Sequence, residues 1–263
     1  MIYRALILLA ISIPAFAQNE AGSPLRVTVT STTAAEQPAA QSTGYRLTKV
    51  FHDPEAKDPD SKSSGGIIYS AYGPGNVWHG EVPGFIPEVA VLGGEETIPL
   101  TDVYERGRFI YAHYGTDHYQ TKLVQVIDEN RFLIAEFNFY EIENVSYAHF
   151  DRDAEMLYYS VIEPNIGESA EARIHAFSIA EGKEIWQSDS GTSHGDFEVM
   201  ESHLLTHYGF SGQDDFLVVL DKGNGKTLEK YSLDTAAEII APSDGVFYVP
   251  CYSGIYRFEF LEK

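Results

Sequence analysis

A chain of 263 residues, 44% of them apolar, is long enough to bury at least one sizeable core. Thirty-nine acidic against 18 basic residues give a net charge of −21, which argues against nucleic acid or an anionic membrane surface as partner and leaves cationic partners or metal ions open. The acidity also suits solubility outside the cell, and the single cysteine, Cys251, allows no internal disulfide, so the fold must rest on packing.

The first 17 residues carry Arg4, the apolar run ALILLAISIPAFA and a small-x-small site at Ala15-Phe16-Ala17. This pattern predicts a secretory signal peptide cleaved before Gln18, which would take the net charge to −22. The run is too short for a comfortable membrane span, and no other segment approaches about 18 unbroken apolar residues, so membrane insertion is not expected. The absence of a cysteine after the run disfavours a lipid anchor. Export to a periplasm or the medium is the expected localisation. Residues 18–43, rich in Ala, Thr, Ser, Gln, Glu and Pro without period, read as a flexible leader. Residues 44–263 read as one domain.

Within that domain one apolar phrase recurs five times: IIYSAYG at 67, FIYAHYG at 109, MLYYSVI at 156, HLLTHYG at 203 and FYVPCYS at 247. Aligned on Ala71, His113, Ser160, His207 and Cys251, the copies lie 42, 47, 47 and 44 residues apart, the period of a four-stranded propeller blade. Around each later copy, turn residues punctuate runs of Val, Ile, Phe and Tyr. The unit after Asn144 reads VSYAHFD, EMLYYSVI, ARIHAFSI and EIWQSDS, and the next reads DFEVMES, HLLTHYGF, FLVVLD and TLEKYSL. No stretch keeps a helical period. The last unit, AEIIAPSD, GVFYVPCY and GIYRFEF, stops one strand short. GYRLTKVF at 44–51 matches the missing strand in character and is expected to fill its place and close the ring. The expectation is therefore all-β: a five-bladed β-propeller of four-stranded antiparallel blades.

The hairpin IHAFSIAEGKEIW resembles the repeat of the quinoprotein, or PQQ-like, propellers, Ala-x-Asp-x-x-x-Gly-Lys-x-x-Trp. Ala176, Gly182, Lys183 and Trp186 match, with Ser178 at the Asp position; 43 residues on, Asp221, Gly225 and Lys226 match, with Val219 and Glu229 at the Ala and Trp positions. QVIDENRF keeps Asp128 in a shorter turn, and VAVLGGEETI keeps a Gly-containing hairpin. The resemblance implies the fold, with Gly supplying a positive φ and Trp packing between blades. Dehydrogenases of that family bind pyrroloquinoline quinone with Ca²⁺, usually on eight blades with a catalytic Asp and often a vicinal cysteine pair. A chain of about half that length with one cysteine is not expected to hold the quinone, and no cofactor is expected. The superfamily's non-catalytic scaffold members are the nearer model.

Candidate sites follow from the repeat. His113, His207 and Cys251 share one repeat position and, were it to face the channel, would suit Zn²⁺ or Cu⁺; packing with local hydrogen bonds is the alternative. Trp78, Tyr114, Tyr208 and Tyr252 are the aromatics expected on an exposed face, where rings stack on sugars or apolar peptide side chains. Asp58 and Asp60 open a loop that lacks the remaining ligands of a calcium site and reads as a solvated insertion. Motifs for nucleophilic hydrolases, zincins and nucleotide binding are absent. The expected function is an exported binding or scaffold module for a protein or glycan ligand. The alternative is a carbohydrate-active hydrolase with carboxylates at a channel mouth, for which only Asp151, Glu198 and Glu238 fall near blade starts.

Overall fold

The computed structural model describes residues 26–29, 45–51, 82–92, 96–116, 120–163, 171–209, 213–237, 239–243, 246–252 and 254–260. In chain order the strands begin with β1 (Arg26–Val29), β2 (Tyr45–Phe51) and β3 (Val89–Leu92). Then come β4 (Glu96–Arg106), β5 (Phe109–Gly115), β6 (Thr121–Asp128) and β7 (Leu133–Asn138). The next set is β8 (Val145–Asp151), β9 (Met156–Glu163), β10 (Glu171–Ser178) and β11 (Lys183–Gln187), followed by β12 (Phe197–Val199), β13 (His203–Tyr208), β14 (Asp215–Asp221) and β15 (Thr227–Leu233). The last three are β16 (Ala241–Ser243), β17 (Val246–Cys251) and β18 (Gly254–Phe260).

These strands form antiparallel sheets in a propeller-like arrangement, ordered β1-β7-β6-β5-β4-β3, β11-β10-β9-β8, β12-β13-β14-β15 and β16-β17-β18-β2. Among the described residues no helix is long and apolar enough to cross a membrane. The repeated phrase is the second strand of every blade: β5, β9, β13 and β17. Runs of consecutive buried residues on β5, β9 and β13, such as Leu157–Ile162 and Leu204–Tyr208, show why the phrase is apolar without alternation. Each such strand is covered on both faces by its neighbours. The outermost strands β11 and β15 are largely exposed.

Among the described residues the expected five blades are corrected to four. The first phrase copy, at 67–73, lies outside the described residues, and the VAVLGGEETI hairpin is merged into the sheet that follows it. Strand β4 is 11 residues long and serves two ladders. Glu96–Pro99 pairs with β3, and Leu100–Arg106 pairs with β5 after an irregularity between Leu100 and Asp102. Pro99, which has no N–H to donate, stands where the first ladder gives out. A strand absent from the sequence expectation is β1, inside the stretch read as a leader. It pairs with β7, from Arg26↔Asn138 to Val29↔Ala135. Strand β2 lies beside β18, from Phe51↔Ile255 to Tyr45↔Phe260, and is the fourth strand of the last blade.

The PQQ-like hairpin is built as its residues dictate. Gly182 (φ 67°) and Gly225 (φ 71°) take left-handed backbone at equivalent turns, and their N–H groups donate to Ser178 O (2.9 Å) and Asp221 O (2.8 Å). Asp221 Oδ1 accepts from the backbone of Gly223 (2.8 Å) and Asn224 (3.1 Å). Ser178, at the family's Asp position, does the same work with one bond, accepting from Glu181 N at 3.1 Å. Trp186 crosses to the next blade, where its Nε1 donates to Lys222 O at 3.0 Å. The indole lies so close to Gly225 that an added Cβ there would stand 2.8 Å from Cζ3.

Trp186→Ala is expected to cost about 3–5 kcal/mol by opening a cavity between the second and third blades. Gly225→Ala is expected to cost at least about 2 kcal/mol, since left-handed strain adds to the collision with the indole. Denaturant midpoints near the parent's would reject this packing. Deletion of residues 44–51 should lower the midpoint further than Trp186→Ala, because it strips the last blade of its fourth strand; a truncated chain as stable as the parent would show β2 to be dispensable.

Candidate functional site

Two places gather chemistry: the convergence of the inner strands, and a groove between the second and third blades. At the first, Arg106 ends β4 and is buried. Its Nε lies 2.9 Å from Glu198 Oε1 on β12, and its Nη2 lies 3.6 Å from Asp196 Oδ2. The guanidinium sits over the rings of Tyr104 and Tyr147, 5.8 and 5.9 Å from their centroids. Those two rings stack at 4.7 Å, bringing β8 of the second blade against β4 of the first. Asp196 also accepts from His207 Nε2 and from Ile240 N, both at 2.8 Å, which ties in β13 and the segment entering β16. One cation is thus linked to all four blades.

Burial dominates the electrostatics. It pushes the Glu198 carboxyl up to about 7; the Arg106 charge opposes the shift and the Asp196 charge adds to it. Burial would raise Asp196 too, but the His207 hydrogen bond and the His207 and Arg106 charges hold it below the ordinary carboxylate value. Burial depresses His113 to about 3. His149 falls to about 3 through burial and the Arg106 charge, and His194 to about 4 through burial and the His207 charge.

Chemically the two acids are engaged. A glycosidase needs one carboxylic acid and one carboxylate facing a substrate across several ångströms. Asp196 and Glu198 instead both face Arg106. Asp151, the third acid near a blade start, has its Oδ2 2.6 Å from Lys222 Nζ, and Glu238 lies outside the described residues. A carboxyl near neutrality is what a general acid requires, but here burial accounts for it, with the Asp196 charge adding to the shift and the Arg106 charge opposing it.

The sequence-predicted residues are dispersed. His113 is buried within the first blade, where Tyr104 Oη donates to Ala148 O at 2.5 Å and lies 2.8 Å from His113 Nε2. Because the tyrosine proton is spent on Ala148, Nε2 carries the ring proton, and Nδ1 accepts from Thr121 Oγ1 at 3.2 Å. His207 belongs to the Asp196 cluster in the third blade. Cys251 is buried in the fourth blade, its Sγ 3.6 Å from Val249 O. Among the described residues no group of three or more His, Cys, Asp or Glu side chains is placed to hold a metal ion. Of the aromatics, Trp78 lies outside the described residues, and Tyr114 and Tyr208 are buried, with hydroxyls on Gln125 (3.3 Å) and Gln213 (2.5 Å). Tyr252 is half exposed. The residue that sequence reasoning missed is Arg106. Its context, YERGRF, is that of any charged strand end before a glycine turn, and nothing local signals burial.

The groove, of about 580 Å³, lies where the turns after β8, β10, β12 and β14 gather. Met156, Tyr158, Ile185 and Trp186 supply its apolar lining, and Ile185 is 41% exposed.

No family model and no curated protein matches the chain. Similar solved structures include BamB from Moraxella catarrhalis, 10% identical over 65% of this chain and 47% of that chain, with a TM-score of 0.39. Another is the hydrazine synthase of Kuenenia stuttgartiensis, 12% identical over 66% and 58% of the two chains, with a TM-score of 0.38. The match spans about half the length of each of those chains.

The shifts define a pH profile. His113, His149 and His194, depressed when folded, contribute stability that is lost as pH falls through about 6.5, where the unfolded histidines take up protons. Glu198, raised when folded, contributes stability that is lost as pH rises toward and through about 7. The two terms oppose each other between about pH 5 and 8, and three histidines outweigh one carboxyl, so stability is expected to rise to about pH 7.5 and to level off there. Glu198→Gln removes the opposing term and should steepen the rise, by about 2 kcal/mol relative to the parent between about pH 5.5 and 7.5. Urea midpoints across that range check it, and parallel profiles for parent and variant would remove Glu198 from the explanation.

Proposed function

We propose that the protein is an exported, non-enzymatic PQQ-like propeller that works as a binding or scaffold module for a protein or glycan ligand. The observation that carries this reading is the groove between the second and third blades: a concave, partly apolar surface held by four turns. Its volume falls within the range of about 300–1,000 Å³ typical of ligand sites. Trp186 in its wall is fixed by a bond to Lys222 O and by contact with the Gly225 turn, so that part of the surface binds without a large ordering cost. The engagement of Asp196 and Glu198 by Arg106 supports a non-catalytic role over the hydrolase alternative. The signal-like N terminus and the acidic composition support export.

The test is a screen of the full chain against immobilised glycans and displayed peptides. A ligand of one class should be retained and should bind at least about tenfold more weakly to Ile185→Arg, whose long side chain fills the groove mouth, with the melting temperature unchanged. Absence of any ligand, or binding indifferent to the substitution, would overturn the assignment. Release of reducing sugar from a retained glycan would restore the hydrolase.

A further inference from the structure

The chemistry of the groove walls selects among ligands. Three carboxylates, Glu181, Glu201 and Asp221, rim the groove, and Lys222 is the cation in its lining. That lysine is already committed: its Nζ lies 2.6 Å from Asp151 Oδ2 and 6.0 Å from the centre of the Tyr158 ring. Glu181 faces Lys183 at 2.9 Å, but both side chains are more than half exposed, and such a surface pair holds little energy against a competing cation. Asp221 uses Oδ1 to cap its own turn. The walls therefore combine an excess of negative charge with the apolar surface of Met156 and Ile185.

We infer that the occupant of this groove is an extended segment of a partner protein carrying lysine or arginine beside an apolar residue. The inference rests on the groove being the ligand seat. A Lys or Arg side chain matches both wall types at once, because its aliphatic stem covers apolar surface while its head reaches carboxylates. A neutral glycan would desolvate three carboxylates without supplying a compensating charge. The net charge of −21 acts in the same direction over longer range by steering basic segments toward the molecule.

The experiment titrates the full chain into fluorescent peptides of about eight residues with alternating Lys/Leu, Gln/Leu or Glu/Leu sequence and reads anisotropy. The Lys/Leu peptide should bind at least about tenfold more tightly than the Gln/Leu peptide, and should weaken as salt rises from about 0.05 to 0.5 M. Glu181→Gln/Glu201→Gln should lose about tenfold for Lys/Leu alone, and Ile185→Arg should lose binding of every peptide, both with unchanged melting. Equal binding of all three peptides, abolished by Ile185→Arg, would overturn the charge assignment and leave the groove as a binding site. The same split follows if only a glycan binds and Ile185→Arg blocks it. Failure of every peptide and glycan would overturn both the inference and the binding function.

Discussion

The constraint on which the assembly of the blades depends is the burial of Arg106. Taking a guanidinium out of water costs several kcal/mol, and the cost is offset only when carboxylates with good geometry replace the solvent. Those carboxylates come from a distant part of the chain, Asp196 and Glu198, some 90 residues later. The first blade is thus satisfied electrostatically only when the third is folded against it. Asp196 carries the coupling onward, since Oδ2, the oxygen that faces Arg106, also accepts from the backbone N–H of Ile240 at the entry to the fourth. Tyr147 supplies the second blade's share, its ring on the guanidinium and stacked on Tyr104 of the first blade. Apolar packing alone tolerates small slips between stacked sheets, whereas a buried ion cluster with fixed donors and acceptors does not.

A second contact sets the spacing of the second and third blades from outside. Trp186 reaches from the outer strand β11 to the turn after β14, and that turn is shaped to receive it by a glycine whose missing side chain leaves room for the ring. The hairpin phrase therefore carries two halves of one contact, with Trp at the end of one copy and Gly in the turn of the next. The third blade carries Glu229 at the Trp position, exposed on β15. The groove is a by-product of the same geometry, since the turns that clasp the indole also form its rim.

Much of this was legible in the sequence, and the reasons are local. Strand runs bounded by turn residues, the period of the apolar phrase and the AFSIAEGKEIW hairpin all encode interactions between residues close in the chain, so β8 to β18 and the place of β2 follow from pattern. The blade count did not follow, because β4 continues unbroken from one ladder into another and a periodicity argument assigns each hairpin to its own unit. Strand β1 was hidden by its polar, Thr- and Ala-rich surroundings. His113, His207 and Cys251 share a position in the repeated phrase, yet the structure disperses them. One bonds to a tyrosine, one to an aspartate and one packs in a core, because each blade places different residues around the same strand position.

The candidate site was the least legible part for a related reason. Arg106 is invisible as a central residue because its partners are fixed by the stacking of blades, which a one-dimensional pattern does not contain. The consequence bears on function. With its acids committed to a structural cation, the convergence of the inner strands holds the molecule together, and the groove proposed as a ligand seat lies where blades meet at their turns. There the sequence is polar, variable in length and free of the repeat's packing demands. On the proposed reading, substitutions at Glu181, Ile185 or Glu201 alter binding without disturbing Arg106, Asp196 or Glu198. The division between a mechanical centre and an adjustable rim is thus set by burial: a substitution in the centre leaves a charge stranded, and one on the rim does not.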